Sequence, residues 1–298
     1  MTALGTSLEV YIVQIIAGLG QGAILFLVAS GLTLVFGALR VINFAHGSLF
    51  MLGAYITTSL TPDGGLGNAW FWLVFLAAGV IVAAGGVVLE VGFFRPIYNR
   101  TLLTQLLVTF AFVLIITGLA REFWGANTFT TPIPSALDGS VAILGGRIPV
   151  SNFIFMGAAI AAGIALWAIL YKTDLGRMIR AAVSDPVLLG LTGVNVKLLF
   201  TGVFVIAAFF AGTAGGIITL QGSVNLDMGI DAIIRAFVVV VIGGLGSLSG
   251  AFIAAMLVGV AEALGLLWVP QASLAVVFAV LVVVLAIRPE GIMGGRSN

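Results

Sequence analysis

Long apolar runs alternate with short polar connections along this chain. The runs lie at roughly 10–37, 41–60, 69–92, 102–120, 151–171, 198–220, 229–249, 250–268 and 271–287. Most approach or exceed the ~20 apolar residues a helix needs to cross a bilayer. Lipid offers the backbone no hydrogen-bond partner, so helices satisfy their own. The pattern predicts an all-α, polytopic integral membrane bundle of about 8–9 membrane segments, with some helices broken or re-entrant. All of it belongs to one transmembrane domain over 1–298. The first run is long for one span and carries Gly18, Gly20 and Gly22, which predicts a break. Segment 41–60 is a candidate for dipping into the membrane and returning.

Basic residues supply the orientation. Arg95 and Arg100 occupy one connection; Lys172, Arg177, Arg180 and Lys197 occupy another; Arg288 and Arg296 lie in the tail. The connections at 61–68 and 221–228 carry no basic residue. The positive-inside rule puts the three basic clusters in the cytoplasm. Nine crossings then leave the N-terminus outside and the C-terminus inside, with Arg40 also on the inner side. Loop 121–150 falls outside despite Arg121 and Arg147. Its Pro132, Pro134, Gly139, Gly145 and Pro149 predict an irregular, ordered extracytoplasmic cap, either a solvated connector or a docking surface. Small residues four apart (Gly18 and Gly22, Gly212 and Gly216, Gly246 and Gly250) read as faces for close helix packing.

Composition narrows the chemistry. The chain is 61% hydrophobic and 8% charged, against about half and a quarter in a soluble domain. A net charge of +1 implies no nucleic-acid partner. With no cysteine and one histidine there are no disulfides, no thiolate sites and no basis for a histidine metal centre. No basic stretch precedes the first apolar run, so a cleaved signal peptide is not expected. No phosphate-binding G-x-x-x-x-G-K-[ST] loop occurs, and GLGSLSG at 244–250 has the wrong spacing for a dinucleotide loop. No histidine or carboxylate pairing has metal-ligand spacing, and His46 has no evident catalytic partner. Uphill movement by this chain would draw on an ion gradient or on another subunit.

Polar residues inside apolar segments are costly and usually face a cavity or one another. Asn43 and His46, three apart, share a helix face at the inner end of their segment. They hold either a freed backbone carbonyl of a bent segment or a polar ligand. Asp231 and Arg235, four apart, are placed for an ion pair within one helix. Alternatively Arg235 pairs across helices with Glu262, in LVGVAEALGLLW, near a translocation path; Glu262 could also make only a structural hydrogen bond.

Loop 172–197 begins with a basic amphipathic stretch and continues through Asp185-Pro186. Asp185 is placed to cap a short helix with Pro186 in its first turn, ending near Gly190 or Gly193. Such a helix is either an ordinary surface element or a docking knob.

The stretch GLTLVFGALRVINFAHGSLFMLGAY at 31–55 resembles the signature of branched-chain amino acid ABC importer permeases, specifically the shorter of their two paired permease types. The resemblance continues in order through TDLGRMIRAAVSDP at 173–186, GVN at 193–195, IDAIIRAFVVVVIGGLGSLSGA at 230–251, GVAEALG at 259–265 and RPEG at 288–291. It implies a subunit of the bacterial cytoplasmic (inner) membrane. Its partners would be a second, longer permease, two cytoplasmic ATPase subunits that bind ATP and Mg, and an extracytoplasmic substrate-binding protein. This chain would carry no cofactor and no catalytic residue. By the same resemblance 172–197 is the ATPase-coupling loop, with Gly176, Arg180, Ala181, Ala182, Asp185, Pro186, Gly193 and Asn195 in the matching positions. Ser184 and the apolar Val187-Leu188-Leu189 depart from the pattern. Asn43, His46, Asp231, Arg235 and Glu262 would belong to the translocation pathway. Branched-chain or other hydrophobic amino acids are the expected cargo; importers of urea, short amides and small aromatic acids share the same look. A self-sufficient secondary transporter is the rival from another class.

Overall fold

The computed structural model describes residues 8–62, 68–134, 137–143 and 146–294. Most of loop 61–68, Gly145 and Arg296 lie outside the described residues. Among those described, the helices are α1 (Leu8–Leu39), α2 (Ala45–Leu60), α3 (Asn68–Leu89), α4 (Leu102–Trp124), α5 (Val150–Lys172), α6 (Asp174–Ser184), α7 (Pro186–Leu191), α8 (Val196–Ile218), α9 (Met228–Gly243), α10 (Leu248–Trp268) and α11 (Ser273–Ile287). The nine apolar segments map one to one onto nine of them.

Seven are long and apolar enough to cross a membrane; α2 and α9 are not among them. Each of these two has 16 residues, or about 24 Å of helix, short of a ~30 Å hydrocarbon core. Both are walled in by longer helices: α2 by α8 and α3, α9 by α10 and α1, with α2 and α9 also touching each other. The peripheral helices turn Leu73, Leu76, Ile160, Ile164, Val282 and Val283 outward, as a lipid-facing surface requires.

Helix α1 is continuous over 32 residues, which corrects the expected break at Gly18, Gly20 and Gly22. These glycines are contact points. A Cβ on Gly18 would meet Gly259 and Val260 of α10, and one on Gly22 would meet Ala255 and Met256. The dispersion gained by this close approach replaces what glycine loses in helix propensity. The interruption comes later, at residues 40–44, where Arg40 takes φ 55° and α2 starts afresh at Ala45.

Gly246 and Gly250 both make close contacts, Gly246 against Gly37 of α1 and Gly250 in the first turn of α10 against Gly243 of α9, so they pack α9, α10 and α1 across a turn rather than along one helix face. Gly244 and Gly246 have positive φ between α9 and α10, and the Ser247 hydroxyl caps α10 by accepting from Gly250 N at 3.1 Å. The cap over 121–150 contains a hairpin that sequence reasoning missed: β1 (Ser140–Ile143) pairs antiparallel with β2 (Gly146–Pro149). Within β2, Ile148 is fully buried where the strand packs on α1 and α5.

Contacts sort the connections into two ends. At one, Arg40 donates to the Val183 carbonyl of α6, and Gly37 sits against Gly246. At the other, β2 packs on α1, and Phe129 bridges to Val224. The first is called the basic end and the second the hairpin end.

Candidate functional site

At the hairpin end, α1, α9, α10 and the residues leading into α9 enclose a cavity of about 460 Å³. Asn225 sets the entry to α9, its side-chain oxygen accepting from the Asp227 and Met228 amides at 3.0 Å each. About two turns into α9, Arg235 donates from Nε to Oε1 of Glu262 on α10 at 3.2 Å. A second guanidinium nitrogen reaches the Asp231 backbone carbonyl at 3.4 Å. The cross-helix alternative is therefore the one realised. The Asp231 carboxylate stays exposed while Glu262 keeps 17% of its side chain accessible, and attraction is stronger where less water screens it. Asp231, Arg235 and Glu262 all line the cavity, with Ile24, Leu25 and Val28 among its apolar walls.

Asn43 and His46 are not in that lining. His46 is buried, with Nε2 3.0 Å from the Val28 carbonyl of α1, which fixes Nε2 as the donor. The ring lies against Gly31, where a Cβ would come within 2.9 Å of Cε1. His46 thus ties the start of α2 to α1 from behind the cavity wall. Asn43 is equally buried, and its amide makes no hydrogen bond among the described residues. The structure separates the two polar clusters that sequence reasoning grouped in one pathway.

At the basic end, α6 starts from Thr173, whose hydroxyl accepts from Gly176 N at 3.2 Å. Asp185 Oδ1 accepts from Val187 and Leu188 amides at 2.9 Å each, and Pro186 occupies the first turn of α7, as its sequence foretold. Gly193 takes φ 87°, and Asn195 caps α8 through the Leu198 amide at 3.1 Å. The matching positions divide into two sets. Gly176 and Ala182 are buried, with α6 lying directly on the last carbonyls of α5 at Gly176. Arg180, Ala181, Asp185, Pro186, Gly193 and Asn195 are exposed. Around them Val187, Leu188 and Leu191 are 73%, 61% and 80% exposed, an apolar knob with no cover of its own. A mostly apolar groove of about 970 Å³ lies between α1, α5, α6 and α10, with Arg40 and Arg180 among its lining residues.

A family model described as "Branched-chain amino acid transport system / permease component" matches residues 14–285. The chain belongs to this permease family. It is 29% identical over 296 residues to the high-affinity branched-chain amino acid transport system permease protein LivH of Escherichia coli, covering 95% of this chain and 96% of that one. To the permease protein BraD of Pseudomonas aeruginosa it is 30% identical over 298 residues, with the same coverage. A third relative, permease protein LivM of Escherichia coli, is 28% identical over 289 residues, covering 88% of this chain and 66% of that longer one. The permease is a multi-pass protein of the bacterial inner membrane.

One charged cluster of the permease escaped sequence reasoning. Glu90, with no exposed surface, accepts from Arg95 Nε and Nη2 at 3.1 and 2.9 Å, from Tyr98 Oη at 3.0 Å and from Thr201 Oγ1 at 2.8 Å. The network joins the basic end of α3 to α8. Burial, and then the neighbouring carboxylate, hold the Tyr98 phenol above its ordinary range. Glu90 and Arg95 are five apart, a spacing that does not share a face in an α-helix. A π-helical turn over Glu90–Phe94 brings them together. The available signal was the single acid inside an otherwise apolar run, followed by Arg-Pro.

Proposed function

We propose that this permease forms half of the translocation passage of an ATP-driven importer of branched-chain and other hydrophobic amino acids. The observation that carries the reading is α7: a capped helix presenting uncovered Val187, Leu188 and Leu191 at the basic end. Such a surface is suited to a groove on another protein. In a permease with no nucleotide-binding loop, that protein is the ATPase. Loop 172–197 is then the cytoplasmic coupling loop and the hairpin over 121–150 the extracytoplasmic cap. Arg180, Ala181, Asp185, Pro186, Gly193 and Asn195 face the ATPase, while Gly176 and Ala182 seat α6 on the bundle. ATP and Mg bind to two such subunits. A second, longer permease completes the passage, and an extracytoplasmic binding protein delivers cargo. Asp231, Arg235 and Glu262 line the passage; Asn43 and His46 brace it. ATP-driven closure of the ATPases would pull the coupling helices and exchange two packings of the bundle.

Mild-detergent purification from the native host, followed by mass spectrometry, tests the assembly. Two P-loop ATPases and a longer permease in about equal amounts support it. Recovery of this chain alone, transporting in ATP-free liposomes, would overturn it. Competition by urea, short amides or small aromatic acids against leucine uptake tests the cargo.

A further inference from the structure

We infer that the hairpin-end cavity is a subsite for the zwitterionic head of an α-amino acid, with Arg235 taking its carboxylate and Asp231 and Glu262 its ammonium. The inference rests on the importer reading above and assigns the chemistry of one station on its passage. Arg235 engages Glu262 through Nε and the Asp231 carbonyl through Nη1. Among the described residues its Nη2 has no partner, so a guanidinium edge remains for a carboxylate, the geometry for which arginine is suited. Oε2 of Glu262 and the exposed carboxylate of Asp231 are likewise uncommitted among the described residues. Donor and acceptors therefore stand side by side, with both signs of charge available to one small molecule.

The remaining lining suits the same ligand. Among the described residues, the ionisable ones on the cavity wall are Asp231, Arg235 and Glu262, for a formal charge of −1. A free carboxylic acid would face two carboxylates for one arginine. A simple amine would face the arginine without an answering negative group of its own. A zwitterion meets opposite charge at both ends. Ile24, Leu25, Val28 and Phe50 line the cavity as well and offer a branched aliphatic side chain an apolar surface. The volume of about 460 Å³ falls within the ~300–1,000 Å³ of small-molecule sites. The cavity lies at the hairpin end, the side from which cargo released outside would come.

The test uses the whole complex in proteoliposomes, with ATP inside, saturating binding protein outside and L-leucine as the probe. Exchanging the charges in Arg235→Glu/Glu262→Arg retains an ion pair but reverses its polarity. A purely structural pair predicts wild-type leucine uptake from this variant. The subsite predicts a fall of about ten-fold or more, the loss expected for a charged hydrogen bond, at normal complex yield. Two milder variants decide if the exchange fails to assemble. Arg235→Lys keeps the charge but loses the planar fork, and Asp231→Asn alters an exposed side chain outside the ion pair. Both are expected to slow uptake several-fold, and wild-type rates in both overturn the subsite. Failure of the importer reading is seen separately, as absence of ATP-driven leucine uptake by the wild-type complex, and it removes the subsite too.

Discussion

Replacing Asp185 with alanine removes the acceptor that organises α7. Its Oδ1 takes the Val187 and Leu188 amides at 2.9 Å each, and both would be left without a protein partner. Loss of a helix N-cap costs about 1 kcal/mol. Helix α7 has only six residues, well below the ~12–15 at which an isolated helix becomes marginally stable. Its stability therefore comes from the cap, from Pro186 and from packing on α6 and α8. A loss of about 1 kcal/mol raises the opened fraction about five-fold. Hydrogen exchange on the assembled complex would report this as about five-fold faster exchange of the amides at 187–191. Leucine moved per ATP hydrolysed would fall by less, because most copies still hold the helix. Asp185→Asn keeps a capping oxygen and should restore protection. Exchange unchanged in Asp185→Ala, or equally fast in both variants, would refute the argument.

Glu90→Ala would leave Arg95, Tyr98 and Thr201 without their shared acceptor. Breaking a buried pair costs about 3–5 kcal/mol; the lower figure applies because 29% of the Arg95 side chain is exposed. The melting temperature in detergent should drop by about 6 °C, and a drop below about one degree would contradict the network's role. Gly215→Ala drives a methyl into the Phe50 carbonyl oxygen, backbone that cannot swing aside. It should cost about 1–3 kcal/mol, seen as lower thermal stability, whereas Gly118→Ala on α4 meets nothing within 4 Å and should be neutral or stabilising. His46→Leu removes the bond to the Val28 carbonyl. Leucine uptake per assembled complex is expected to fall more than complex yield; normal uptake would remove His46 from the mechanism.

Local chemistry was readable in advance. Asp185-Pro186 announced a capped helix because a cap joins residues two and three apart, whatever the rest of the chain does. Gly18 and Gly22 announced close packing but not its partner, and whether they would bend α1 depended on α10 lying against them. Arg235 had two acids within reach of the argument, one on its own helix and one 27 residues on. Glu90 was not legible in this way because its partners sit five, eight and 111 residues away, and the nearest is brought into line by a π turn.

The sequence alone determined the solvent, the number of apolar segments, the basic side of the bundle and the family, since each is a property of composition, charge order or a linear motif. Tertiary structure decided which of those segments are enclosed and which charges meet. In lipid, the hydrophobic effect does not select helix neighbours. Contacts between small residues do so, and only once the helices are neighbours can a buried charge find its partner.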